Sequence, residues 1–440
     1  MTSAAPGALD ITRYELELDY RVPGNRLDAR ARIHGSARRH LDRFTLDMAG
    51  LRVSRVLVDG KRPERWTHRD GRLTLRPGGV LAPGASVVVE VHYSGSPRPI
   101  RGPWGEVGWE ELTDGVIVAG QPDGAPSWFP CQDHPGDKAS FGITVTTDAG
   151  YEVVCNGTLV AKTARSSRVR WEFEQPEPTA PYLATVQIGR YLRWTTVEGP
   201  VRQQAAVPAR LRLPFDHDFA RQPQMMEVFC ELFGPYPFRE YTVVVTDDPL
   251  EIPLEAHGLS VFGANHLDGE RGSERLVAHE LAHQWFGNSV TASSWRDIWL
   301  HEGFACYAEW LWSQASGGRS ADDQARTAYN RLAGLPQDLL VGDPGEKLMF
   351  DDRLYKRGAL TVHAWRKAVG DTTFFDTLRA WTTQFRHGSA STAELVSLAS
   401  AMAGVALDDL FDEWLYAARL PPLPVATPTA LTDRGSSAAG

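Results

Sequence analysis

The chain has 440 residues, 42% hydrophobic and 23% charged, enough for two or three domains whose cores need no disulfide or metal staples. Lys+Arg 46 against Asp+Glu 55 leave a formal charge of −9 with no basic run, which excludes nucleic acid and an anionic membrane as main partners. No 18-residue apolar stretch marks a transmembrane helix, and residues 1–10 lack the charged start and apolar core of a secretory signal. Cys131, Cys155, Cys230 and Cys306 are far apart in apolar surroundings, as buried free thiols of a reducing compartment would be, so the expected location is cytoplasmic.

Residues 14–20, 30–33, 51–58, 86–93, 141–146 and 168–173 alternate apolar and polar side chains, separated by turn pieces such as Val22-Pro-Gly-Asn25. This period of two predicts half-buried antiparallel strands and an all-β domain over 8–198. Beyond Pro200 the period changes. Helical spacing runs over 218–233, one strand is expected at 241–246, and long helices at 273–286, 300–313, 321–332, 357–369, 373–385 and 392–403. Glycines 287, 317 and 370 sit where helices should stop. The expected fold is α+β: an antiparallel β domain, a mostly helical domain over 199–420, and a Pro/Ala/Thr-rich tail at 421–440 expected to be disordered.

The chemistry concentrates in His279-Glu280-Leu281-Ala282-His283, with Ser273 as the expected N-cap. Two histidines four apart project from one helical face and can share one metal ion. Glu280 sits on the next flank, placed to act as general base on a water at that metal. Glu302 follows His283 after eighteen intervening residues, within Trp299-Leu-His-Glu-Gly-Phe-Ala305. Two imidazoles and one carboxylate leave a coordination position open, the arrangement of a catalytic centre, and imidazole dominance favours one zinc over magnesium. Glu309, two turns beyond Glu302, is either an acceptor for a ligand histidine N–H or a solvated helix carboxylate. The aromatic residues crowding these two helices, among them Trp285, Trp299 and Trp310, read as core.

His279-Glu-Leu-Ala-His-Gln-Trp-Phe-Gly-Asn288 with Trp295-Arg-Asp-Ile-Trp-Leu-His-Glu-Gly-Phe-Ala305 resembles the gluzincin aminopeptidase family of alanyl aminopeptidase and leukotriene hydrolase. Trp128-Phe-Pro-Cys-Gln-Asp-His-Pro-Gly-Asp-Lys138, Tyr182–Gly189 and Phe233–Phe238 resemble family segments in the same order, and the likeness extends to about residue 420. The resemblance implies an N-terminal β-saddle, a thermolysin-like catalytic domain, and zinc-dependent removal of N-terminal residues from peptides with a free amine. It also implies roles for residues outside the metal motif. Glu255, in Ile252-Pro-Leu-Glu-Ala256, matches the family glutamate that holds the α-ammonium, although Ile252, Pro253 and Ala256 depart from the family's Gly-x-Met-Glu-Asn. Gln121 and Asp123, in Gly120-Gln-Pro-Asp123, match the segment that reaches in from the saddle: Gln121 toward the first residue's backbone, Asp123 as a second carboxylate for the amine. Tyr355 matches the phenol that donates to the oxyanion, with Lys356 replacing a family glutamate and expected on the solvent side.

Two other functions compete with this one. A non-catalytic peptide-binding member of the family would show a broken ligand or base, and His279, Glu280, His283 and Glu302 are all present. Epoxide hydrolysis, as in the leukotriene branch, uses basic residues of a C-terminal helical domain that has no counterpart in these 440 residues. Because larger members cap the cavity with that domain, a cleft open on one side is expected, with tolerance of longer peptides.

Overall fold

The structure is a computed structural model that describes residues 7–424; the expected tail lies, from residue 425 onward, outside the described residues. The first unit is built on a seven-stranded sheet ordered Thr158–Arg165, Arg168–Thr179, Ala139–Asp148, Leu9–Arg21, Arg26–Ala37, Ser86–Gly95, Arg52–Val58. In its central strand Leu9 and Ile11 point inward, then Tyr14, Leu16, Leu18 and Tyr20. The one-residue slip between the two sets is absorbed by a bulge between Ile11 and Arg13, which keeps every large apolar side chain on the core face. One pairing departs from the expected antiparallel pattern: Leu9–Arg21 runs parallel to Ala139–Asp148. The long connection between these strands builds most of the domain and returns the chain in the same direction.

A second sheet of this unit, Glu152–Cys155, Val186–Gly189, Gly115–Ala119, Gly105–Leu112 and Ile100–Gly102, carries the loop of Gln121 and Asp123. At the tip of its last hairpin Trp104 reaches the helical unit, donating to the Glu346 carbonyl at 2.8 Å and meeting Phe350 edge to face. A five-stranded mixed sheet follows, ordered Tyr191–Val197, Arg202–Pro208, Glu240–Val245, Leu259–Phe262, Leu254–Ala256. Its first hairpin straddles residue 198, where the domain change was expected. Its last strand, three residues long and at the sheet edge, bears Glu255.

The helices are α1 (Arg212–Asp218), α2 (Gln222–Phe233), α3 (Glu274–Ala282), α4 (Trp299–Ala315), α5 (Ala321–Ala333), α6 (Gly345–Leu348), α7 (Asp352–Val369), α8 (Asp371–Gln384), α9 (Thr392–Ala403) and α10 (Asp408–Leu415). The helix expected over 218–233 is α2, which starts four residues later and is preceded by the unexpected short α1, and α7 starts five residues earlier than expected. Every residue of α4 from Trp299 to Trp312 is buried, so this helix is the axis around which the others pack. The aromatic side chains do form the core: Phe286 stacks on Phe304 at 4.6 Å, and Trp285 and Trp299 are almost wholly enclosed.

Candidate active site

Regular helix α3 ends at Ala282, short of the expected 286, and Ser273 makes no side-chain capping bond. His283 keeps helical torsions at the helix end, so both histidines still face the same side. After it the chain closes a wider turn, with Asn288, Ser289 and Val290 N–H groups donating to the carbonyls of His283, Gln284 and Trp285. Gly287 sits in this turn at φ +120°, and a Cβ there would meet His283 Nδ1 at 3.3 Å and His301 at 3.4 Å. A side chain would therefore crowd the histidine as well as strain the backbone.

The imidazoles are oriented by what their Nδ1 atoms contact. His279 Nδ1 lies 2.8 Å from Glu309 Oε1, and His283 Nδ1 lies 3.1 Å from the Phe286 carbonyl. Both acceptors require a proton on Nδ1, which leaves both Nε2 lone pairs free. Each Nε2 is 3.5 Å from Glu302 Oε2. Donors of one tetrahedral zinc, with bonds of about 2.0–2.1 Å, would stand about 3.3–3.4 Å apart, so the set fits that ion. Glu309 is buried and doubly held by Arg275 Nη1 at 3.0 and 3.1 Å, so it lies against the His279 N–H and is not a solvated carboxylate. Arg275 escaped the sequence reading, although it lies one helical turn before His279.

The site collects carboxylates. Ligand atoms of Glu255, Glu280 and His283 lie within 4.8 Å of one another, as do those of His279, His283 and Glu302. Burial raises the Glu280 carboxyl above its ordinary range, and burial pushes Glu255 up to about 7 against the pull of His283. Glu302 behaves oppositely: burial opposes its charge, but His283 and His279 hold it well below the usual range. Both histidines are raised despite burial, by Glu302 and then Glu309 at His279 and by Glu302 and then Glu255 at His283. Such an excess of enclosed carboxylates calls for positive charge, as a metal ion would supply. Glu280 Oε2 is buried with no hydrogen-bond partner among the described residues.

Tyr355 lies in the first turn of α7, its ring 6.1 Å from that of His279 and nearly parallel to it. Burial, then the carboxylates of Glu302, Glu255 and Glu280, push its phenol well above the ordinary value, so it is a donor. The helix crossing makes this approach possible. A Cβ on Gly303 of α4 would stand 2.9 Å from Gly358 of α7, and one on Gly358 would stand 2.8 Å from Gly303 Cα. Lys356 is not on the solvent side as expected. The same close crossing turns it toward α4, where Nζ lies 3.2 Å from Cys306 Sγ, with Glu309 among its electrostatic partners.

Gln121 and Asp123 are half-buried on the loop after Gly115–Ala119. They share no hydrogen bond or ion pair with the metal-site residues among the described residues. Gln121 Nε2 and Asp123 Oδ1 are both buried without a hydrogen-bond partner there. All four cysteines are free, three of them buried and Cys230 partly so.

Comparison with known proteins shows the family. The model described as the Peptidase M1 N-terminal domain matches residues 11–183, and that of the Peptidase family M1 domain matches residues 218–414. The structure of a point mutant of the M1 zinc metallopeptidase of Deinococcus radiodurans, bound to a Tyr-Ser-Ala substrate, superposes with a TM-score of 0.87 at 30% identity. That match covers 96% of this chain and 98% of the other. Among curated relatives, leucyl aminopeptidase of Saccharolobus solfataricus is 26% identical over 92% of this chain and 53% of its own length. Tricorn protease-interacting factor F2 of Thermoplasma acidophilum is 23% identical with the same coverage. The chain thus spans about half the length of these curated relatives. With both halves matched in order and a counterpart of equal extent, the chain belongs to peptidase family M1, and its cofactor is zinc.

Proposed function

We propose that the chain is a zinc aminopeptidase that releases the N-terminal residue of peptides with a free amine. The observation that carries this reading is Glu255, a carboxylate set beside Glu280 and His283 that the His279–His283–Glu302 set does not need as a ligand. A carboxylate so placed suits an α-ammonium, and pairing with the end of a chain makes the enzyme an exopeptidase. His279 and His283 would hold the metal through Nε2, and Glu302 through its carboxylate. When bound, zinc supplies a Lewis acid that polarises the scissile carbonyl and acidifies the attacking water. Glu280 takes the proton of that water and delivers it to the leaving amine. Tyr355 donates to the oxygen on which negative charge develops. Gln121 binds the backbone of the first residue and Asp123 adds a second carboxylate for its amine; their buried, unpartnered polar atoms support this.

The names of the curated relatives and the tripeptide held by the structural counterpart support the same substrate class. Four free thiols support a cytoplasmic location. The test is hydrolysis of an aminoacyl chromogenic amide beside its N-acetylated form, with chelator and then with zinc restored. Activity confined to the free amine and lost with the metal is expected. Equal rates on blocked and free substrates would overturn the reading.

A further inference from the structure

The strand that bears Glu255 has few means of holding its place. It is three residues long, lies at a sheet edge, and pairs on one side only, with Leu259–Phe262. The residue after it is held from the β domain, His257 N donating to the Leu183 carbonyl at 3.5 Å and Asn156 Nδ2 to the His257 carbonyl at 3.1 Å, while the strand itself is held further by the turn that follows His283. Asn288 Nδ2 donates to the Ala256 carbonyl at 2.9 Å, and Gln284 Nε2 to the same carbonyl at 3.2 Å. Gln284 Oε1 accepts from Gly258 N at 2.9 Å. Both side chains are fully enclosed, so neither contact is shared with solvent.

That turn is itself held from the β domain. Lys138 Nζ donates to the carbonyls of Asn288 at 3.0 Å, Ser289 at 2.8 Å and Gly388 at 3.1 Å. It forms no ion pair among the described residues. Three acceptors match the three N–H donors of an ammonium, and a cation at the carbonyl end of a helical turn is favourably placed. Burial pushes this ammonium down to about 7. The titratable neighbours that face it are His257, His301 and His387, and burial holds all three imidazoles below their ordinary value, in the neutral form.

We propose that Lys138 is a positioning residue for the amine anchor: from the β domain it fixes the turn after His283, through which Asn288 and Gln284 hold the strand carrying Glu255. The proposal rests on the reading of Glu255 as the partner of the substrate ammonium. It gives the contact between the two domains a role in substrate binding beyond cohesion.

Lys138→Met keeps the length of the side chain and removes its three donors. With zinc-loaded enzyme and an aminoacyl amide, KM should rise about tenfold, as when one charge-assisted contact is lost, while kcat and zinc content hold. Inhibition by acetohydroxamate, a metal-binding group without an amine, should be unchanged. In a Glu255→Ala background Lys138→Met should raise KM no further. Should Lys138→Met fail to fold, Asn288→Ala removes the last contact of the relay and carries the same expectation. Falls in kcat and zinc content that match the rise in KM, or an unmoved KM in either variant, would overturn the proposal. If Glu255→Ala leaves KM unchanged, the amine-anchor reading fails; if it raises KM and neither Lys138→Met nor Asn288→Ala does, only the role of Lys138 fails.

Discussion

Replacing Gly358 by alanine tests whether the crossing of α4 and α7 sets the reach of Tyr355. The new Cβ would stand 2.8 Å from Gly303 Cα, backbone that cannot rotate away. Restoring carbon–carbon contact at about 3.5–4.0 Å requires the helices to part by roughly 0.7–1 Å at this level. Tyr355 lies one turn before Gly358 on the same helix and moves with it. Overpacking of this kind costs about 1–3 kcal/mol of stability. A catalytic group displaced by about 1 Å costs about 10²-fold in rate, close to the 10²–10³ expected when Tyr355→Phe removes the donor altogether. The two losses should not add. In a Tyr355→Phe background, Gly358→Ala should lower kcat by less than about threefold, since the displaced group is already absent. The assay is kcat on a zinc-loaded protein with an aminoacyl chromogenic amide, beside zinc content and the thermal midpoint. A lowered midpoint with kcat within about threefold of the parent would show that the crossing serves packing alone. An undiminished loss in the Tyr355→Phe background would show that it acts through another group.

Glu280→Gln should retain zinc while kcat falls about 10²–10⁴-fold, as when a general base is lost; a variant with parental turnover would remove Glu280 from that role. Glu309→Ala takes away the acceptor of the His279 Nδ1 proton and should weaken zinc about 10–100-fold in competition with a chelator. Unchanged metal affinity would reduce Glu309 to a helix-packing carboxylate. For pH, burial holds His363 down at about 4 against an ordinary 6.5. Below pH 6.5 the unfolded chain therefore takes up this proton first, and stability declines between about 6.5 and 4 by on the order of 3 kcal/mol from this group. His363→Gln should flatten the unfolding midpoint over that range, and a profile parallel to the parent's would contradict the assignment.

The His279–His283 pair, Glu280 and Glu302 were readable because helical spacing and a loop of fixed length carry their geometry. The first two residues share a face by the period of the helix alone. Strand alternation likewise exposed the β domain, since a half-buried sheet imposes a period of two on the chain. Short elements were harder. Leu254–Ala256 has three residues, too few for any period, and its place came only from the resemblance around Glu255. The helices α1, α6 and α10 were missed, because short helices leave little periodic signal.

By itself, then, the sequence determined the order of a β domain and a helical one, and the positions of the residues proposed as metal donors and general base. Each of these is written in local spacing, and local spacing survives without knowledge of the fold. The tertiary structure alone decided which way Lys356 turns and that Arg275 grips Glu309. It alone showed that a β-domain lysine holds the turn behind His283 and that two glycines bring Tyr355 beside His279. Those relations join residues up to 250 positions apart, as Lys138 is from Gly388. Their physical content is a distance of closest approach or the satisfaction of a buried polar group, and neither leaves a periodic mark on the chain.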